Sequence, residues 1–240
     1  MSCKQLALKR YLSNRLASMS DKIDGKWKTW NPVIGCQHNC SYCWAKRFAL
    51  ERLSNTEKYK NGFAPKLAEN ELNKRFRNQF VFVSDMGDLF GEWVPKEWIL
   101  RVIDATRQSP SSDFLFLTKN PSRFKEFVHM CKENIILGAT IESNRAYPYS
   151  QAPAVAERAK AMIDLHYDRK FLSIEPVMDF DSEIFADWIE KIAPIQVAVG
   201  YDNWSNRLPE PPLAKTLQFI EKLNEFTEVK TRTLRNASSI

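Results

Sequence analysis

Thiols are scarce in this chain. It has five cysteines in 240 residues, an odd number, and three of them fall within eight positions. That clustering argues against a disulfide framework and fits a reducing compartment with a metal site. Ligands for a closed metal cage are also missing, because no second CxxC and no HxxxH follows the cluster. No apolar run approaches the ~20 residues of a membrane span, and the start lacks the apolar core of a signal peptide. The sequence therefore predicts a cytoplasmic protein with no membrane partner. Internal repeats and low-complexity segments are absent too, so no solenoid is expected.

What is present is a chain with 44% apolar residues and seven tryptophans, enough for one large core. The net charge of +6 is unevenly placed. Residues 1–28 carry seven Lys/Arg against two acids, and residues 46–77 carry nine against four. The two basic segments flank the cysteines. They are either a solvated surface or a field that attracts an anionic partner such as nucleic acid.

From residue 80 onward, short runs apolar on both faces alternate with amphipathic ones. "FVFVS" (80–84), "FLFLT" (114–118), "IILGATIE" (135–142), "FLSIEP" (171–176) and "IQVAVG" (195–200) read as strands of a buried parallel sheet. An earlier strand over 26–34 and a last one over 228–234 would flank them. Helical stripes run through Trp98, Ile99, Val102 and Ile103, through Val155, Ala159, Met162 and Ile163, and through Phe185, Trp188, Ile189 and Ile192. A last stripe holds Leu213, Leu217, Ile220 and Leu223. Helices are also expected after Pro121 and over 44–53. The expected fold is α/β: a partial (β/α) barrel of six or seven parallel strands with outer helices, residues 26–240 forming one domain behind a basic N-terminal extension, 1–25. Periodicity alone leaves an open doubly wound sheet as the alternative.

Both architectures gather sites at the C-terminal ends of strands. Those ends carry Cys36, Cys40 and Cys43, then Ser84, Asp85 and Asp88, then Lys119 and Asn120, then Glu142, Ser143 and Asn144, then Glu175, and last Asp202 and Asn203. The spacing Cys36-x-x-x-Cys40-x-x-Cys43 lets three thiolates converge on zinc or on an iron–sulfur cluster. Zinc in a structural site takes four ligands, and His38, wedged between two of the cysteines, is a cramped fourth. The shortage favours a [4Fe–4S] cluster with one iron left open. Cys3 stands apart near the N-terminus, and Cys131 shares an apolar stripe with Phe124, Phe127 and Val128, as a buried inert thiol would.

The CX3CX2C pattern, with Tyr42 just before the last cysteine, resembles the signature of the radical S-adenosylmethionine superfamily. The blocks "TWNPVIGC" (29–36), "FVSDMGDLFGEWVPKEW" (82–98), "FLTKNPSRF" (116–124), "LGATIES" (137–143) and "FLSIEPV" (171–177) are similar to a phage- and prophage-associated, radical-SAM-like family of largely undefined function. The resemblance implies a complete or partial (β/α) barrel. It implies three cysteines on three irons and S-adenosyl-L-methionine chelated to the fourth. The activity it implies is reductive cleavage to a 5′-deoxyadenosyl radical that takes hydrogen from a substrate, fed by a flavodoxin- or ferredoxin-like electron donor.

Carried over by position, Cys36, Cys40 and Cys43 are the cluster ligands and Tyr42 packs beside the adenine. Asp85 or Asp88, with Ser84 in the same stretch, stands where the superfamily's acidic motif meets the methionine ammonium. Lys119 would pair with the methionine carboxylate, Glu142 and Ser143 with ribose hydroxyls, and Glu175 would line the substrate side. The substrate is open and could be nucleic acid or another anion. Two other readings remain at this stage. One is a non-catalytic, metal-stapled nucleic-acid-binding protein, and the other a barrel that binds a small molecule without radical chemistry. The chain departs from the narrower family in its compact cysteine spacing, where members commonly have a longer gap after the first cysteine. It also departs at "GYDNW" (200–204) and "KTRTLRN" (230–236), which bears on substrate contacts.

Overall fold

The computed structural model describes residues 27–238; the basic extension expected over 1–25, and Cys3, lie outside the described residues. The strands are β1 (Lys28–Trp30), β2 (Val33–Ile34), β3 (Lys66–Leu67), β4 (Phe80–Val83), β5 (Asp113–Thr118), β6 (Ile135–Thr140), β7 (Lys170–Ile174), β8 (Gln196–Val199) and β9 (Glu228–Thr231). The helices are α1 (Trp44–Arg52), α2 (Lys96–Thr106), a single turn α3 (Phe124–Phe127), α4 (Val155–Ile163), α5 (Ser182–Ile192) and α6 (Leu213–Asn224). Seven strands form one sheet in the order β1-β4-β5-β6-β7-β8-β9, and every neighbouring pair is parallel. The sheet curves into a half-barrel with the helices around it. At its open seam the Arg232 guanidinium, just past β9, lies 4.2 Å from the Trp27 ring centre, just before β1.

Strand pleating explains why both faces are apolar. Side chains alternate along each strand, so Val81, Val83, Phe114, Phe116, Leu137, Leu172, Val197 and Val199 face the helices in the main core. Their neighbours Phe80, Leu115, Ile136, Phe171 and Ala198 pack on the concave side. The helices meet the first set with the residues their periodicity singles out: Ile99, Val102 and Ile103 of α2, Met162 of α4, and Phe185, Ile189 and Ile192 of α5.

Three expectations are corrected. The strand expected over 26–34 is two pieces. After Trp30 the chain leaves the sheet at Asn31-Pro32, where proline has no N–H for a ladder. The second piece, β2, pairs antiparallel with β3 instead. The segment after Pro121 is not one regular helix: 3-10 turns over Pro121–Arg123 and Val128–Met130 bracket α3. On α6, Leu217 is 47% exposed and Phe219 is buried in its place, because the stripe facing the sheet is Thr216, Phe219, Ile220 and Leu223.

Candidate active site at the C-terminal edge of the half-barrel

Backbone hydrogen bonds tie the cysteine loop to the strand ends. Gly35 bridges to Gly87 in the loop after β4, and its N–H donates to the Met86 carbonyl at 2.9 Å. Its φ is +79°, and a Cβ there would sit 2.3 Å from the Ala64 carbonyl oxygen, so this position needs glycine. Further on, the Ser41 N–H donates to the Tyr149 carbonyl at 2.9 Å and the Gln151 N–H to the His38 carbonyl at 2.7 Å, docking the loop on residues 147–151. Cys43 then caps α1.

Two of the thiols accept backbone N–H bonds, Cys36 from His38 at 3.5 Å and Cys43 from Lys46 at 3.3 Å. Cys40 Sγ lies 3.2 Å from Ser150 Oγ. Burial raises the Cys36 and Cys43 thiols above the ordinary range, so ligation would have to displace their protons. Cys131, by contrast, packs at the edge of the main core, and burial raises its pKa to about 12, the behaviour of an inert thiol.

All three loop cysteines line one cavity of about 490 Å³ together with Tyr42, Ser84, Asp85, Asp88, Lys119 and Glu175. Its floor is the concave face of the sheet, Phe82, Leu115, Leu117, Phe171, Ser173 and Ala198. Glu142 and Ser143, expected at ribose hydroxyls, do not line it. The Ser143 hydroxyl donates to the Asp179 carbonyl at 2.6 Å. Glu142 is buried beneath the wall, where Oε1 accepts from Tyr42 Oη (2.6 Å) and Lys119 Nζ (2.5 Å), and Oε2 accepts from Arg158 (2.9 Å). Burial opposes ionisation of Glu142, but the Lys119 and Arg158 charges outweigh it and hold the pKa down to about 2. Lys119, expected on a ligand carboxylate, is thus already paired, and its ammonium also lies 5.3 Å from the Tyr42 ring centre.

Two aspartates competed for the ammonium role, and their surroundings separate them. Asp88 is saturated: it bonds His38 Nε2 (2.9 Å) and accepts from Thr118 Oγ1 (2.6 Å), the Lys119 N–H (2.9 Å) and the Phe90 N–H (3.0 Å). Burial disfavours its charge, but the His38 and Thr118 bonds prevail and its pKa is lowered. Asp85 accepts from Asn31 Nδ2 at 2.6 Å, and burial raises its pKa. It is therefore an under-compensated carboxylate on the cavity wall. Beside it the Ser84 hydroxyl is buried without a hydrogen-bond partner among the described residues, on a residue at φ 57°. Buried orphan hydroxyls are costly, and a non-glycine residue at positive φ is uncommon. Glu175 has a pKa raised by burial and partly offset by Arg232.

His38 is buried, bonded to Asp88 and edge-on to Trp93 at 4.8 Å, which makes it a strut of the loop. Among the described residues, no three His, Cys, Asp or Glu side chains come together around a point suited to one metal ion. A four-iron cluster puts each thiolate on its own iron and so asks for a wider spacing than a mononuclear site. The donor set, three thiols around a cavity holding a carboxylate, an orphan hydroxyl and a lysine, fits a cluster with an ammonium- and carboxylate-bearing ligand. Arg232, Trp27, Ser173, Trp44 and Trp204 also line the cavity and were not singled out from sequence. The inward alternation on β7, and the aromatic–basic pairs at the two chain segments flanking the sheet, were the available signals.

Two solved structures share the fold. One is a doubly substituted spore photoproduct lyase with bound AdoMet and dinucleoside spore photoproduct: TM-score 0.53, 11% identity, 84% of this chain and 62% of that one. The other is Streptococcus suis SuiB bound to precursor peptide SuiA: TM-score 0.53, 11% identity, 91% of this chain and 52% of that one. The chain thus spans little more than half the length of these similar structures. No curated protein matches the chain. Neither structural match speaks to a phage origin. Among the described residues, no helix is long and apolar enough to cross a membrane. A family model described as a protein of unknown function (DUF5131) matches residues 20–192, well over half of the sequence, and the chain belongs to that family.

Proposed function

We propose that this chain is a radical S-adenosylmethionine enzyme. The observation that carries the reading is the convergence of Cys36, Cys40 and Cys43 on one cavity at the C-terminal edge of a parallel half-barrel, beside the under-compensated Asp85. The fold shared with a structure that holds AdoMet supports it. When bound, a [4Fe–4S] cluster with S-adenosylmethionine supplies one-electron reductive cleavage of the sulfonium and a radical able to take hydrogen from a substrate.

The chain's own residues then have distinct tasks. Cys36, Cys40 and Cys43 hold three irons, and the fixed loop keeps their register. Asp85 accepts the methionine ammonium, with the Ser84 hydroxyl gaining its missing partner from the same ligand. Lys119 shares its charge between Glu142 and the methionine carboxylate. Tyr42, held by Glu142, packs against the adenine. Phe82, Leu115, Leu117 and Phe171 keep the floor dry, which protects a radical from solvent. Glu175 faces the substrate side. A flavodoxin- or ferredoxin-like protein supplies the electron, and the basic flanks favour an anionic substrate.

The test is anaerobic reconstitution with iron and sulfide, then reduction in the presence of S-adenosylmethionine. Release of 5′-deoxyadenosine supports the reading. A fully loaded cluster that releases none, or one zinc and no iron in anaerobically prepared protein, would favour a stapled binding protein instead.

A further inference from the structure

The helix that follows the cysteine loop is built inside out. α1 buries its small residues Ala45 and Ala49 and leaves Trp44 and Phe48 41% and 39% exposed. Trp44, Arg47 and Phe48 stand at i, i+3 and i+4, so they share one face. That face leads directly from the cavity, because Trp44 lines its rim. The loop after β8 presents a second indole, Trp204, which also lines the cavity and is 44% exposed. The Arg47 guanidinium lies 5.4 Å from the Trp204 ring centre.

Among the described residues, the charges here are not spent on acids. Arg47 Nη2 donates to the Asn206 amide oxygen at 3.2 Å and Lys46 Nζ to the Asn39 amide oxygen at 3.1 Å. Elsewhere in the basic segment, Lys58 and Lys74 pair with Glu71 and Lys60 with Glu57. Lys46 and Arg47 thus carry positive charge beside the mouth, next to exposed indoles.

We infer that this rim binds single-stranded nucleic acid, with bases stacked on Trp44 and Trp204 and phosphates on Lys46 and Arg47. Flat faces beside cations held by neutral amides rather than by acids match a strand whose bases are unstacked and whose backbone is anionic. A duplex hides its base faces, and an acidic peptide offers the charge without regularly spaced rings. The inference deepens the proposed function by naming the substrate class. Binding is measured without S-adenosylmethionine or reductant, so its failure and a failure of cleavage are read separately.

The experiment is fluorescence anisotropy of the full-length, anaerobically reconstituted protein with a short labelled single-stranded oligonucleotide, its duplex, and polyglutamate of equal charge. The expected order is single strand tightest. Trp44→Ala and Trp204→Ala should each weaken single-strand binding by roughly 5- to 150-fold, the range of one lost stacked base, while Trp→Phe keeps most of it. Lys46→Gln with Arg47→Gln should flatten the slope of log affinity against log salt by about 1.4, roughly 0.7 per cation. Unchanged affinity in both Trp→Ala variants overturns the inference, as does equal binding of polyglutamate. Iodide quenching that shows both indoles already shielded in the free protein would overturn it too, since another segment of chain would then cover the rim.

Discussion

Removing the charge of Glu142 is the sharpest structural perturbation the site offers. Glu142 and Arg158 are 3% and 4% exposed, and Glu142 Oε2 accepts from Arg158 at 2.9 Å. Arg158 also donates to the Thr140 carbonyl at 2.6 Å, but that bond does not neutralise it. In Glu142→Gln the charge is lost, and the amide NH2 must face either the Arg158 guanidinium or the Lys119 and Tyr42 donors. Breaking a buried pair from one side costs roughly 3–5 kcal/mol. The depressed pKa, which arises from the same Lys119 and Arg158 pairing, gives a similar figure. The Glu142 pKa is lowered from 4.5 to about 2, and at 1.36 kcal/mol per unit that shift contributes roughly 3 kcal/mol.

Because the folded pKa is depressed, the contribution is complete above the unfolded value near 4.5 and is lost as pH falls toward 2. Chemical denaturation of parent and Glu142→Gln should therefore show a gap of roughly 3 kcal/mol at neutral pH that narrows by roughly 2 kcal/mol at pH 3. An Arg158→Met cycle should give a coupling energy above roughly 1 kcal/mol. A neutral-pH loss below about 1 kcal/mol, or a gap that does not move with pH, would refute the reasoning.

Other outcomes follow from single positions. Gly35→Ala places a Cβ 2.3 Å from a backbone oxygen at positive φ. It should cost at least about 1–3 kcal/mol and lower iron retained after reconstitution, read by denaturation and iron assay. Ser84→Ala removes an orphan hydroxyl; it should leave stability within about 0.5 kcal/mol or raise it, yet weaken S-adenosylmethionine binding by roughly 2- to 10-fold in calorimetry. Asp85→Asn should raise KM for S-adenosylmethionine by about tenfold or more, the value of a lost charged hydrogen bond. Its effect on stability has the opposite sign to that of Glu142. The Asp85 pKa is raised by burial, so its ionisation opposes folding as pH climbs through that window, and the Asn variant should be no less stable at neutral pH.

How far the sequence revealed this protein depends on the kind of signal. Strands β4 to β8 were legible because both of their faces are buried, which leaves unbroken apolar runs. The cysteine loop was legible because metal chemistry fixes spacing within a few residues. Direction at a strand end was not. Glu142 and Ser143 sit at the expected height, yet they turn toward Arg158 and the Asp179 carbonyl, 16 and 36 residues away. The choice between Asp85 and Asp88 likewise rests on Thr118 and the Lys119 N–H, partners that a local motif does not contain. Arg232 reaches the cavity because the last strand forms the edge of the sheet beside Trp27, a long-range fact that no short window carries.

The most direct test of the central claim is 5′-deoxyadenosine formation by reconstituted protein under reduction, compared with Cys36→Ala, Cys40→Ala and Cys43→Ala treated identically. The account predicts product in the parent, with iron and sulfide in a four-iron ratio, and loss of both product and cluster in each variant. Product-free parent with a full cluster, or equal iron content in the three variants, would contradict it.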